Sequence, residues 1–285
     1  MQDRSKGFLS LMLIVLFLLS ACAQAPDGEP APTGTELEAH FFAPGSADAI
    51  LLTTENSAVL IDAGEKGFGK DILAYLEQRG IERLDYLIVT HFDKDHVGGA
   101  AKVINGVEIG TVLQSNQPKD SDAYEKYVKA LKNVGIEPLT VRESLAFTLD
   151  GVSWTVDPPR QERYEDDSSN NSSLIVTVRN SADSFLLMGD AQTARLTEFL
   201  SGKPDACTVL KVPQHGRDEP LMQELLQAVA PQYAIITSSV EEPESADTVA
   251  ALERSGARVL LTREGAVTAR SGGTGVEILQ NDDEI

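Results

Sequence analysis

The segment THFDKDHVGG at residues 90–99 constrains the fold of this chain more than any other part of its sequence. It lies at the end of a continuous apolar segment, residues 84–90, which predicts a buried strand. It then presents four possible metal ligands within six residues: His91, Asp93, Asp95 and His96. Loops at strand ends are where a rigid scaffold displays functional side chains. Gly98 and Gly99 permit a tightly packed helix to start directly behind the loop.

The ligand types restrict the metal. Imidazole nitrogen and carboxylate oxygen suit zinc, manganese or iron, and the absence of a nearby thiolate argues against an iron–sulfur cluster. The alternative is a polar turn whose acids are simply solvated. Two of the four histidines of the chain lie in this one turn, which favours the metal site.

Apolar periodicity predicts the remaining elements. Strands are expected at residues 37–43, 49–53, 58–61, 84–90, 109–114, 152–156, 174–178, 185–188, 209–212, 233–237, 259–262, 266–268 and 276–279. Helices are expected at residues 68–78, 123–134, 193–200, 221–229 and 247–255. Strands that alternate with helices in two halves favour an α/β fold of the αββα sandwich type, with two packed β-sheets and helices outside.

The first residues have the pattern of a targeting segment. Arg4 and Lys6 precede an apolar run at residues 8–19, which is shorter than the roughly 20 residues of a membrane-spanning helix and is typical of a signal peptide. The sequence LSAC at residues 19–22 resembles a bacterial lipobox, which implies lipidation of Cys22. An ordinary signal peptide with a chance cysteine is the alternative.

Four regions follow from this pattern. We expect a lipoprotein signal peptide at residues 1–21, a flexible tether at 22–36 rich in Pro, Gly and acid, a hydrolase-type domain at 37–280 and an acidic tail at 281–285. The domain is then expected to be extracytoplasmic and anchored to the cell membrane through Cys22. The other cysteine, Cys207, is expected to be a small buried residue.

The charge of the chain limits its partners. The formal net charge is -20, which disfavours nucleic acid and other polyanions unless positive charge is concentrated locally. No basic stripe with interleaved aromatic residues is present, as a nucleic-acid groove would require. A modest basic cluster on or beside the helix at 123–134 is expected to be a solvated face: Lys119, Lys126, Lys129 and Lys132.

The spacing His91-x-Asp93-x-Asp95-His96 resembles the signature of the metallo-β-lactamase superfamily. The segments LIDAG at 60–64, LMGD at 187–190 and LKVPQHG at 210–216 resemble further motifs of that superfamily. Three features resemble motifs of the extracellular hydrolase domain of the competence protein ComEC. They are Asp93 at the second position of the signature, GSAD at 45–48 and NNSS at 170–173. The resemblance therefore implies a stand-alone lipoprotein with a ComEC-type hydrolase domain.

The resemblance also implies a ligand set for one or two zinc or manganese ions. The first ion would be held by His91, Asp93 and Asp190, and the second by Asp95, His96, His215 and the shared Asp190. Asp62 and Asn171 would support these ligands from behind. Gln214 stands where the family has a histidine, and the third-motif histidine is absent, so the first position is expected to be the less complete.

The implied chemistry is hydrolysis by a metal-activated water. Asp95 would orient the nucleophile, and Lys211 or His215 would assist the leaving group. We expect a phosphodiesterase or nuclease-like enzyme that acts on a small phosphoester or a cell-envelope phosphodiester, with DNA as a further possible substrate. The alternatives are a lactone or β-lactam hydrolase of the same fold, and a non-catalytic lipoprotein that binds a ligand.

Overall fold

Two mixed β-sheets lie face to face in the computed structural model of the chain, which describes residues 34–166 and 168–281. The predicted signal peptide, Cys22, most of the predicted tether and residues 282–285 of the predicted tail lie outside the described residues. In the part of the chain that is described, no helix has the length and apolar character needed to cross a membrane.

The first sheet has eight strands in the order β15-β14-β1-β2-β3-β4-β5-β6. Their bounds are β1 Leu37–Phe41, β2 Ile50–Thr53, β3 Ala58–Ile61, β4 Arg83–Val89, β5 Glu108–Gln114, β6 Leu139–Thr140, β14 Ala266–Ser271 and β15 Val276–Asn281. The strands from β3 to β6 are parallel, and the other pairings are antiparallel.

The second sheet has seven strands in the order β13-β12-β11-β10-β9-β8-β7. Their bounds are β7 Leu145–Leu149, β8 Val152–Asp157, β9 Ile175–Asn180, β10 Asp183–Leu187, β11 Val209–Lys211, β12 Tyr233–Ile236 and β13 Arg258–Leu261. The strands from β10 to β13 are parallel, and those from β7 to β10 are antiparallel. Each sheet therefore has one antiparallel and one parallel half.

Eight α-helices connect or cover the strands of the described residues. They are α1 Gly69–Gln78, α2 Lys94–Val97, α3 Ala100–Ile104, α4 Asp122–Val134, α5 Ser168–Asn171, α6 Thr193–Ser201, α7 Met222–Val229 and α8 Ala246–Arg254. The predicted long helices are present with shifts of one residue at their ends. The helix expected directly behind Gly98 and Gly99 is α3, for which no bounds were predicted. The sequence did not predict the short helices α2 and α5 or the strands β6 and β7.

Three apolar layers hold the sandwich together. The central layer contains Phe41 and Ile61 from the first sheet and Trp154 and Phe185 from the second. A second layer packs α1, α3 and α4 against the outer face of the first sheet, and a third packs α6, α7 and α8 against the second sheet. The predicted αββα sandwich is confirmed. Cys207 is buried and free in the third layer.

The topology places the motif residues at one edge of the sandwich. Asp62 follows β3, the motif loop follows β4, Asp190 follows β10 and His215 follows β11. The carboxyl ends of neighbouring parallel strands meet at the same edge of a sheet, and loops at such ends are where α/β proteins place their sites. The parallel halves of both sheets therefore contribute to a single candidate site.

Candidate metal centre

Four side chains converge where the two sheets meet. Their nearest ligand atoms all lie within 4.8 Å of one another, and the residues are Asp95, His96, Asp190 and His215. His215 Nε2 lies 3.3 Å from Asp190 Oδ2 and 3.4 Å from Asp95 Oδ2. His96 Nε2 lies 3.4 Å from Asp190 Oδ1. Asp95 is partly exposed, and the other three residues are buried.

The converging atoms fit a metal ion. Apart from their approach to one another, His96 Nε2, His215 Nε2 and Asp190 Oδ1 are buried and have no hydrogen-bond partner. Leaving such atoms unsatisfied costs roughly 1–3 kcal/mol each, a cost that coordination to a cation removes. Two imidazole nitrogens and two carboxylates form a donor set that suits zinc or manganese.

Asp62 fixes the orientation of His96. Its Oδ2 lies 2.7 Å from His96 Nδ1, and the carboxylate also accepts hydrogen bonds from the backbone N–H of Thr90 at 2.8 Å and from its hydroxyl at 2.6 Å. With Nδ1 engaged in this way, Nε2 of His96 faces the ligand cluster. Such supporting hydrogen bonds set the tautomer and the direction of a metal-binding histidine.

Thr237, at the end of β12, holds His215 in the same manner. His215 Nδ1 lies 2.9 Å from the Thr237 carbonyl oxygen and 3.0 Å from its hydroxyl. That hydroxyl donates to Asp48 Oδ1 at 2.6 Å. Gln214 and His215 have φ values of 50° and 51°, a left-handed conformation that costs energy in non-glycine residues and is concentrated at functional sites.

A buried ion pair lies directly behind the ligands. The Lys211 ammonium lies 2.5 Å from Asp48 Oδ2 and 3.7 Å from Asp190 Oδ1, and donates to the Gly189 carbonyl oxygen at 3.0 Å. Burial alone would raise the pKa of Asp48, but the charge of Lys211 lowers it. Because the ammonium is fully buried by these contacts, its position does not favour the predicted contact with a leaving group.

Backbone contacts explain why the motif loop ends in two glycines. The backbone N–H of Ala63 donates to the His96 carbonyl oxygen at 2.8 Å, and that of Asp48 donates to the Asp95 carbonyl oxygen at 3.1 Å. A Cβ atom at Gly98 would collide with the Lys94 carbonyl oxygen, and one at Gly99 with that of Ala63. The two glycines thus let the motif loop pack against the neighbouring loop after β3.

His91 and Asp93 lie beside this cluster. His91 Nε2 is buried without a hydrogen-bond partner and lies 4.0 Å from Asp93 Oδ1. Asp93 Oδ1 accepts hydrogen bonds from Lys119 Nζ at 2.6 Å and from the Ser169 hydroxyl. Neither of the two groups of potential ligands found among the described residues contains His91 or Asp93. Lys119, which was expected on or beside a solvated helix face, precedes α4, and its partly exposed side chain contacts Asp93.

The four converging side chains form a network of ion pairs. Burial opposes charge on His215, but Asp190 and Asp95 raise the pKa of its imidazole to about 9. Burial would raise the pKa of Asp190, but the charges of His215 and His96 lower it well below its usual range. The same competition raises the pKa of His96, mainly through Asp190 and Asp62. A metal ion would replace these protons.

Other site residues were missed or are placed differently from the expectation. Asp48 belongs to the GSAD segment, but the sequence did not indicate its function. Thr237 could not be identified from its residue type, because it holds His215 partly through its backbone carbonyl oxygen. Asn171, expected to support the ligands, instead accepts from the Arg195 backbone N–H at 3.0 Å and donates to the Asp166 carbonyl oxygen at 3.1 Å. It thus links the first turn of α6 to the loop that precedes α5.

Sequence comparison identifies relatives of the chain. It is 29% identical over 174 residues to ComE operon protein 3 of Bacillus subtilis (strain 168), a match that covers 59% of this chain and 22% of that protein. It is 27% identical over 217 residues to Recombination protein 2 of Haemophilus influenzae, which covers 74% of this chain and 25% of that protein. The chain therefore spans about a quarter of the length of these relatives.

Solved structures share the fold. The metallo-beta-lactamase fold protein YhfI from Bacillus subtilis superposes with a TM-score of 0.54 at 12% identity, over 86% of this chain and 99% of that one. The metallo hydrolase Igni18 from Ignicoccus hospitalis gives a TM-score of 0.51 at 16% identity, over 82% and 98%. The sequence model described as "Metallo-beta-lactamase superfamily" matches residues 43–238. With this match over more than half of its length, the chain belongs to the metallo-β-lactamase superfamily.

Proposed function

We propose that the protein is a metal-dependent hydrolase that cleaves a phosphodiester bond in a small or cell-envelope substrate. The observation that carries the proposal is the convergence of His96 Nε2, His215 Nε2 and Asp190 Oδ1, all buried and without hydrogen-bond partners, beside the carboxylate of Asp95. A protein that binds no metal has no need to keep such atoms unsatisfied, and a divalent ion held there can activate a water for hydrolysis.

The exposure of each residue indicates its role in the proposed reaction. A bound divalent ion would acidify a coordinated water and polarise the bond under attack. Asp62 and Thr237 hold the two histidines so that Nε2 faces the ion. Asp95 is the partly exposed member of the cluster, and its carboxylate is therefore the one available to accept a proton from the nucleophile on the substrate side. Lys211 keeps Asp48 charged from behind and lies 3.7 Å from Asp190 Oδ1.

The cleft beside the ligand cluster favours a small substrate and disfavours long DNA. It has a volume of about 880 Å³ and is bordered by Gln192 and Gln214, close in sequence to two of the ligands. Its lining includes four acidic side chains: Glu165, Asp166, Asp218 and Glu219. The basic side chain in the lining, Arg217, lies 2.5 Å from Glu242. Such a wall repels an extended polyanion, while a single phosphodiester group needs only the cationic metal centre.

We further propose that the domain works outside the cytoplasm, tethered to the membrane through a lipidated Cys22. The support is the LSAC sequence after an apolar run, followed by a segment rich in Pro and Gly. Metabolic labelling with palmitate tests this location. The wild-type chain should incorporate label and Cys22→Ala should not, whereas persistent labelling of the variant would refute the anchor.

Hydrolysis assays with the full chain test the activity. With zinc or manganese added, we expect turnover of bis-(p-nitrophenyl) phosphate, little cleavage of long DNA, and loss of turnover in His96→Ala. Lys126→Met, which changes an exposed lysine on α4, is the matched control and should retain activity. Turnover of a lactone or a chromogenic cephalosporin alone would favour the alternative hydrolases. Absence of both bound metal and turnover would favour the binding protein.

A further inference from the structure

The position predicted for the first metal ion lacks a complete ligand set. His91 Nε2 and Asp93 Oδ1 are 4.0 Å apart, and within the described part of the chain no third histidine, cysteine or carboxylate completes a group with them inside 4.8 Å. A catalytic zinc site ordinarily has three protein ligands. The complete set lies at Asp95, His96, Asp190 and His215.

A lysine already engages the carboxylate that this first ion would need. Lys119 Nζ donates to Asp93 Oδ1 at 2.6 Å, and the Ser169 hydroxyl donates to the same oxygen. The ammonium also approaches the Ser169 hydroxyl at 3.5 Å. An ion bound to this oxygen of Asp93 would therefore have to displace these donors, and an ion bound to either oxygen would lie next to a like charge.

The other side of His91 offers no replacement ligand of the usual kind. His91 Nδ1 faces two hydroxyls, that of Thr90 at 3.2 Å and that of Ser173 at 3.4 Å. The Ser173 hydroxyl also accepts a hydrogen bond from the Asp190 backbone N–H at 3.1 Å. These neutral oxygens hold the ring in place but add no negative charge that would attract a second cation.

We propose that this chain binds a single catalytic ion, at Asp95, His96, Asp190 and His215, and that the Lys119 ammonium fixed on Asp93 replaces the charge of a second ion. The part of this inference that concerns substrate rests on the proposed hydrolase function, whereas the number of bound ions does not. The site thus combines one metal with one fixed ammonium group.

The position of Lys119 allows its ammonium to contact the substrate directly. An ammonium has three N–H donors, and Asp93 and Ser169 engage two of them. The side chain is 39% exposed and borders a cleft of about 390 Å³ together with Arg163 and Asn116. The remaining donor is available to a non-bridging oxygen of a phosphodiester, and a charge-assisted hydrogen bond there would orient the substrate toward the ion.

Metal counting tests the stoichiometry without any assay of activity. The purified full chain is dialysed against excess manganese, freed of unbound ion, and its manganese content per chain is determined. We expect one ion per chain in the wild type and in Asp93→Asn, and a paramagnetic resonance spectrum of isolated rather than exchange-coupled manganese. Two ions per chain in the wild type, or a coupled spectrum, would overturn the inference and leave the proposed hydrolase intact. No bound ion at all would overturn both.

Substitution of the lysine tests its role in catalysis. Lys119→Met should keep at least one ion and lose tenfold or more in kcat/KM for bis-(p-nitrophenyl) phosphate, with Lys119→Arg recovering part of the loss. Lys126→Met is the matched control and should change neither quantity. A second ion that binds only in Lys119→Met would support exclusion by the ammonium. Wild-type kcat/KM in Lys119→Met would refute the role of the lysine.

Discussion

The Lys211 ammonium and Asp48 Oδ2 lie 2.5 Å apart, and both side chains are buried directly behind the ligand cluster. Removing one partner of a buried ion pair leaves an uncompensated charge, at a cost of about 3–5 kcal/mol. We therefore expect Lys211→Met to lower the free energy of unfolding of the metal-free protein by about that amount. Urea denaturation followed by circular dichroism measures the change.

Two controls accompany this substitution. The double variant Asp48→Asn with Lys211→Met should recover part of the stability, because it removes both charges. Lys126→Met, at an exposed position without a buried partner, should stay within about 0.5 kcal/mol of the wild type. If Lys211→Met is no less stable than Lys126→Met, the ion pair does not stabilise the fold.

The hydroxyl of Thr237 links His215 to Asp48, and its removal should weaken metal binding. Substitution of groups that orient a metal-bound histidine typically lowers affinity about 10–100-fold. We expect the loss of metal affinity in Thr237→Val to lie toward the lower end of this range, because the Thr237 carbonyl oxygen still holds His215 Nδ1. Competition with a chelator measures the affinity. Thr197→Val, on the exposed face of α6, is the control, and equal affinities of the two variants would contradict the expectation.

Substitution of Asp62 should weaken metal binding more than substitution of Thr237, because Asp62 determines which nitrogen of His96 carries the proton. The carboxylate accepts from Nδ1, which leaves Nε2 free to bind a metal. In Asp62→Asn the amide can place an N–H against Nδ1, which favours the tautomer with the proton on Nε2. We expect manganese affinity to fall about 10–100-fold. Wild-type affinity in Asp62→Asn would show that the bond between these two residues does not orient the ligand.

Local sequence patterns predicted the sandwich and named the four side chains that converge at the candidate site, because periodicity and loop motifs are local signals. Strand β7, with the sequence LAFTL, was missed; none of its five residues is fully buried. The contacts that shape the site are not local. Lys119 meets Asp93 only after β5 and α4 have packed beside the motif loop, and Lys211 meets Asp48 only when the two sheets come together. No spacing in the sequence encodes either pair.

The remaining histidine, His40 in β1, should make stability depend on pH. It is 2% exposed, its Nδ1 lies 2.9 Å from the Thr268 hydroxyl, and its ring stacks on Tyr75 at 4.5 Å. Burial is the main cause that lowers the pKa of His40 to about 4, with Arg79 also lowering it and Glu38 opposing the shift. The neutral ring is therefore favoured in the folded protein.

The direction of the pH effect follows from proton binding. An unfolded histidine titrates near pH 6.5, so between pH 6.5 and 4 the unfolded chain binds more protons at this position than the folded protein. The contribution of His40 is fully present above pH 6.5 and is lost as the pH falls toward 4, with a slope of up to about 1.4 kcal/mol per pH unit. His40→Gln can keep a hydrogen bond to Thr268 but cannot titrate. Urea unfolding of the metal-free wild type and variant at pH 7, 5.5 and 4.5 should show a shallower pH dependence in the variant, and parallel curves would rule out His40 as the source. Because both proteins retain His91 and His215, the difference between their curves isolates the contribution of His40.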